Sequence, residues 1–438
     1  MKLSSHHLLL IVAILSQLLL SCVHAQQPQP VSNTSVIIDQ PLRTGADSIV
    51  NNYHVQGDCF GATVPLILAG DVAVVANQTS VISRDGKLVH LVDTLLSLGV
   101  HVNKIFCPEH GFRGNTEAGA RVDNSVDSKT GLPIVSLYGK NKKPTSEQMK
   151  GIDLVIFDLQ DVGCRFYTYI STLHYVMEAC AEAGVPLIVL DRPNPNCHYV
   201  DGPVLDTSKY RSFVGMHPVP VVYGMTIGEY AQMINGEHWL KGSIQCDLTV
   251  VPMQGYRRDS SYVLPVPPSP NLQTPQSILL YPSLCLFEGT NISVGRGTDT
   301  PFELIGAPNC DIGGCLNSTF TVGEQQVPVC VFKPHYIKGV SENPPFKDKQ
   351  CYGLKLSNVK VAAKFDLAWL MQMYWMTPHD TFFQKNNLFE KLAGTDRLRK
   401  QIMQGLSEEE IRASWEPALS HYKQIRKKYL LYPDVEQR

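Results

Sequence analysis

Several absences narrow the reading of this 438-residue chain before any motif is found. No G-x-x-x-x-G-K-[ST] loop occurs, and the first strand-like run is followed by no G-x-G-x-x-G; the backbone cradles that usually hold ATP or NAD pyrophosphate are therefore missing. Gly295-Arg296-Gly297 supplies two of the three glycines and follows no clear strand. There is no H-E-x-x-H and no cysteine pair at two-residue spacing, which argues against the usual zinc sites. A serine elbow also fails, since Ser293 has Gly295 after it but Asn291 where the first glycine belongs. Charge of one sign is not in excess: 38 Lys and Arg face 40 Asp and Glu, for a net charge of -2. That balance speaks against a nucleic-acid binder, which needs a cationic surface. Beyond residue 20 no apolar run is long enough to cross a bilayer, and no internal repeat is visible.

What is present is a chain with 44% hydrophobic residues, enough for a large core and for two domains. Lys2, the apolar stretch Leu8 to Leu20 and Val23-His24-Ala25 read as a signal peptide over residues 1–25, so export is expected: extracellular, endolysosomal or periplasmic according to source. Leu19-Leu20-Ser21-Cys22 also resembles a lipoprotein box, which would tether the chain through Cys22. Of 12 cysteines, 11 remain after such cleavage, and an exported chain suggests bridges, with Cys310/Cys315 and Cys330/Cys351 as the local pairs. Glycan acceptor sequons stand at Asn33, Asn77, Asn291 and Asn317.

Residues 26–60 are polar and proline-dotted, as in a loosely docked arm. From Gly61 the pattern alternates. Val72–Ala76, Val102–Phe106, Leu154–Phe157 and Leu187–Leu190 are short apolar runs. Helical spacing lies between them, at Leu88, Leu91, Val92, Leu95 and Leu96, and again at Leu173, Val176, Met177 and Cys180. This order predicts an α/β fold with a parallel sheet covered by helices. Each strand empties into a polar turn, and ligands bind at the carboxyl ends of such sheets. Glu109, His110, Asp158, Asp161 and Asp191 therefore fall along one rim. Past residue 250 the alternation fades into the proline-rich stretch 265–275, a glycine-rich polar loop around Gly295, and a smaller mixed region.

Carboxylates are the chemistry most suited to this rim. Glu109 sits between Pro108 and His110-Gly111, while Glu288 and Glu303 each adjoin a phenylalanine, Phe287 or Phe302, placed to desolvate it. Hydrolysis of a glycoside needs two carboxyl groups facing across one bond. The competing structural role for these glutamates is pairing with Arg113, Arg165 or Arg296. Arg165 and Arg296 are also suited to holding a ligand carboxylate. Phe166, Tyr167 and Tyr169 either line a sugar face or pack the core. A metal at His110, Asp158 and Asp161 is a further alternative.

The motifs also occur together and in order. They include Pro108-Glu-His-Gly-Phe-Arg-Gly114, Thr130-Gly-Leu-Pro133, Ser136-Leu-Tyr-Gly139, Phe157-Asp-Leu-Gln-Asp-Val-Gly163 and Arg165-Phe-Tyr-Thr-Tyr169. Leu190-Asp-Arg-Pro-Asn-Pro195, Pro268-Ser-Pro-Asn271, Glu288-Gly-Thr-Asn291, Gly295-Arg-Gly-Thr298 and Pro301-Phe-Glu303 follow. Over about residues 61 to 438 the chain resembles the exo-β-N-acetylmuramidase family. The resemblance implies a glycoside hydrolase that releases terminal N-acetylmuramic acid from the non-reducing end of peptidoglycan fragments, without a cofactor. Its partners would be muramic-acid-terminated saccharides or muropeptides. It also implies a Rossmann-like catalytic domain, residues 61–265, and a smaller mixed α/β auxiliary domain, residues 266–438, with a cleft between them. By position, Glu109 would be the acid/base, Glu288 the second carboxylate and Glu303 the reserve. His110, Arg113, Asp158, Asp161, Arg165, Tyr169, Asn271, Asn291 and Arg296 would bind substrate, one arginine holding the lactyl carboxylate. Asn309 departs from the tryptophan common after Gly-Ala-Pro. A glycan-binding protein without turnover and a metal-dependent hydrolase are the alternatives.

Overall fold

The computed structural model describes residues 41–51, 67, 70–113, 124–312 and 318–435. The expected signal peptide, Asn33, Cys22, Cys59, Cys315 and Asn317 lie outside the described residues.

A seven-stranded sheet organises the first half of the chain. Its strands are β1 (Val72–Ala76), β4 (Val102–Cys107), β5 (Ser125–Val126), β6 (Pro133–Ser136), β7 (Leu154–Asp158), β8 (Leu187–Leu190) and β9 (Leu248–Val251). They run in the order β5-β6-β4-β1-β7-β8-β9, every neighbouring pair parallel except the antiparallel edge β5–β6. The central strands β1, β7 and β8 are apolar up to the closing Asp158 of β7 because both faces are covered. Val74, Ile105, Ile156 and Ile188 look toward one layer, which contains helix α1 (Gly45–Asn51) through Ala46 and Ile49, and α2 (Leu91–Ser97). Val75, Phe106, Phe157 and Val189 look the other way, onto α3 (Tyr169–Ala183) and α4 (Ile227–Gly236). Part of the polar arm is thus docked: Gly45 donates to the Asp191 carbonyl at 2.8 Å, and α1 enters the core.

One helix starts later than its spacing predicts. Val81–Arg84 (β2) and Lys87–His90 (β3) form a hairpin about Asp85 and Gly86, both with positive φ. An Asp-Gly pair is the turn that a two-residue hairpin demands, and it overrides the helical spacing of Leu88. Helix α2 begins only at Leu91, where the His90 ring accepts from the Val92 N–H.

The second half holds a four-stranded antiparallel sheet ordered β10-β13-β12-β11, from Leu304–Ala307, Cys351–Lys355, Gln325–Phe332 and Thr319–Val322. Helices α5 (Pro275–Leu284) and α6 (Leu388–Ala393) pack nearby. Leu280, Leu284, Phe287, Phe302, Ile305 and Leu354 join the same apolar cluster as one face of the large sheet. Residues 41–438 are accordingly one compact unit. Cys330 and Cys351 on adjacent strands are free thiols rather than a bridge: Cys330 stands opposite Gly353, and Cys351 opposite Phe332.

Candidate active site

The carboxyl ends of neighbouring strands assemble one wall of a cleft of about 400 Å³. Strands β4 and β6 are paired, so the turns that follow them, carrying Glu109 and Tyr138, emerge side by side. The hydroxyl of Thr168, just ahead of α3, donates to Glu109 Oε2 at 2.8 Å. Tyr138 also hydrogen-bonds Glu109. Burial pushes its phenol well above the usual range, and the charges of Glu109 and Glu288 push the same way, so it remains a protonated donor. His110 lines the same wall with φ of 71°, a left-handed conformation that costs a non-glycine residue energy and tends to be kept at functional turns.

The opposite wall comes from the second half of the chain. Glu288 stands on the 3-10 turn Cys285–Gly289 that continues from α5. This turn lies so close to α6 that a Cβ on Gly289 would sit 2.5 Å from the Phe389 backbone. Arg296 Nε donates to Glu288 Oε1 at 2.6 Å. The guanidinium lies over the Phe302 ring, 5.1 Å from its centroid, and its loop turns through Gly295 and Gly297 at φ of 77° and 80°. Tyr281, Cys285, Leu388 and Leu392 complete this side. Both carboxylates therefore border one hollow, with Tyr138 between them electrostatically.

Other expected site residues are occupied elsewhere. Asp158 is fully buried and receives Arg192 through two bonds of 2.6 and 2.8 Å. Asp161 accepts from Tyr223 and from the Gly163 N–H, and burial raises its carboxyl to about 6. Asp191 accepts from Thr226, Gly228 and Tyr432. Strand ends thus place these aspartates at the rim, but their side chains turn inward to fasten the loops. Arg165 is buried and donates to the carbonyls of Pro203, Val219 and Leu392. Arg113 forks onto Asp127 at 3.1 and 2.7 Å.

Tyr169 accepts from Asn77, below the cleft-lining Phe166 and Tyr167. Glu303 accepts from Thr274, the residue that caps α5, and is not among the lining residues. Asn271 is buried and donates to the Val340 carbonyl beside the cleft; Asn291 is exposed and donates to Thr381. Asn309 is exposed and does not line the cleft. Among the described residues no three His, Cys, Asp or Glu side chains converge as a metal site. His110 borders the cleft, whereas Asp158 and Asp161 hold partners of their own. Sequence reasoning missed Tyr138 and Thr168 as site residues; Tyr138 follows β6, a strand of four residues whose mixed exposure gives little periodic signal.

A cleft bordered by two glutamates from separate stretches of chain, at the carboxyl edge of a mostly parallel Rossmann-like sheet, is the architecture of an α/β enzyme. The comparisons narrow the class. Residues 72–276 match the N-terminal domain of the exo-β-N-acetylmuramidase NamZ family, and residues 279–432 match its C-terminal domain. The peptidoglycan β-N-acetylmuramidase NamZ of Bacillus subtilis (strain 168) is 38% identical over 94% of this chain and 96% of its own length. Two crystal structures of DUF1343 family proteins from Bacteroides fragilis superpose with TM-scores of 0.74. They are 42% and 28% identical, over 90% of this chain and 100% and 99% of theirs. The chain belongs to the NamZ exo-β-N-acetylmuramidase family.

Proposed function

We propose that the protein is an exo-acting glycoside hydrolase that releases N-acetylmuramic acid from the non-reducing end of peptidoglycan fragments. The observation that carries this reading is the pair Glu109 and Glu288 lining one cleft, in a chain of this family. Their surroundings give them different tasks. Glu288 is ion-paired with Arg296 and serves as the fixed negative charge facing an oxocarbenium-like transition state. Glu109 is held by hydroxyl groups, from Thr168 and Tyr138, which can reverse from donor to acceptor as the carboxyl gains or loses its proton. It is therefore the group suited to protonate the glycosidic oxygen and to receive the proton back from water. The stretch from Lys2 to Ala25 supports export to a compartment where wall fragments are met, and muropeptides fit as further substrates.

Product analysis on a muramic-acid-terminated disaccharide, with wild type and Glu109→Gln side by side, tests the reading. The substitution should lower kcat by roughly 10²- to 10⁴-fold with the melting temperature unchanged. Undiminished release of N-acetylmuramic acid by Glu109→Gln, or no release by the wild type, would overturn it.

A further inference from the structure

We propose that the outer, Nη edge of Arg296 seats the substrate's lactyl carboxylate and is the element that selects muramic acid over N-acetylglucosamine. The proposal rests on the muramidase reading above, since the lactyl ether is the group by which those two sugars differ.

The argument is one of elimination followed by geometry. Four arginines come into question, and three of them have partners of their own and do not line the cleft. Arg113 spends its fork on Asp127, Arg192 spends its own on Asp158, and Arg165 is sealed among main-chain carbonyls. Among the described residues lining the cleft, Arg296 is the one arginine or lysine. Its Nε is bonded to Glu288, yet neither Nη group has a hydrogen-bond partner among the described residues. A guanidinium has five N–H donors in a rigid fork, so four donors remain for a ligand.

The guanidinium is already held in place. The Glu288 bond fixes one edge of the guanidinium, the Phe302 ring supports one face, and left-handed glycines on either side set the backbone path. At 17% side-chain exposure, Arg296 is sheltered enough for a charged contact to count and open enough to be reached. A carboxylate meets two parallel N–H groups with the geometry that this edge offers. N-Acetylglucosamine brings no acceptor of that kind, so it leaves the Nη edge to water and gains nothing from it.

Charge-assisted hydrogen bonds of this sort imply a preference of roughly 10- to 100-fold. The experiment measures inhibition of chromogenic N-acetylmuramide hydrolysis by free N-acetylmuramic acid, its methyl ester and N-acetylglucosamine, in the wild type. Calorimetric binding of the same three sugars to Arg296→Lys and Arg296→Gln accompanies it. The wild type should favour the free acid over both the ester and N-acetylglucosamine by that factor. In both variants the three affinities should converge to within about threefold, that of N-acetylglucosamine hardly changing. Equal inhibition by acid and ester in the wild type would overturn the proposal without any variant having to fold. Retention of the preference in Arg296→Gln would overturn it too. Failure of the wild type to cleave the muramide strikes the muramidase reading instead.

Discussion

Replacing Asp158 with asparagine separates a loop fastener from a substrate contact at a position where strand-end logic suggested the latter. Asp158 ends β7 with its side chain wholly buried and takes both bonds from the almost equally buried Arg192. The Asp158→Asn variant keeps the volume but removes the counter-charge and turns one acceptor into a donor facing the guanidinium, which keeps the amide oxygen and the Val81 carbonyl, 3.0 Å from Nη2. Breaking a buried pair from one side costs about 3–5 kcal/mol. For a unit spanning residues 41–438, an unfolding entropy of about 2.1 cal/mol/K per residue gives roughly 0.8 kcal/mol per degree. The melting temperature should therefore fall by about 4–6 °C. Scanning calorimetry measures the fall, and KM for a muramide substrate, taken well below the transition, should stay within twofold of the wild type. A KM raised tenfold with an unmoved melting temperature would refute the reasoning and return Asp158 to the substrate.

Three further outcomes follow from side chains outside the cleft. Burial holds His174 at about 4 against an ordinary 6.5, so between those values the unfolded chain binds a proton that the folded one refuses. Urea unfolding across a pH series should show wild-type stability falling relative to His174→Gln as pH drops from 6.5 towards 4, with a flat difference above 7; a difference independent of pH would contradict this. The nine described thiols are free, and of these only Cys330 is not fully buried. A thiol reagent should label it before the other eight in the native protein, as mass spectrometry of the labelled peptides would show. Asn77 is buried with its amide bonded to Tyr169, so mass spectrometry of material from a glycosylating host should find no glycan there.

The parts of the fold legible in the sequence were those whose signal is local. Val72–Ala76 and Leu187–Leu190 are continuous apolar runs because both sheet faces are covered, and such runs need no partner to be recognised. The β2–β3 hairpin was written in Asp85-Gly86 but masked by apolar residues that also fit a helix. Edge strands such as Ser125–Val126 are too short and too exposed to register. In the site, position at a strand end was readable whereas side-chain direction was not. Glu109 lies two residues past β4, where the chain has left the sheet, and its carboxylate borders the cleft. Asp158 is still the last residue of its strand, and its side chain is claimed by Arg192, from the turn after β8. A pairing partner many residues away leaves no periodic trace.

Arg165 has a consequence for how a saccharide gains entry. It leads directly into Phe166, Tyr167 and Thr168 on one flank, and its Nη2 grips the carbonyl of Leu392 on the other. Because a cation here meets neutral dipoles instead of an anion, added salt has no ion pair to screen. Swinging the flanks apart would cost Nη2 its carbonyl while Nη1 keeps those of Pro203 and Val219, so a buried cation resists widening of the gap that a saccharide must enter.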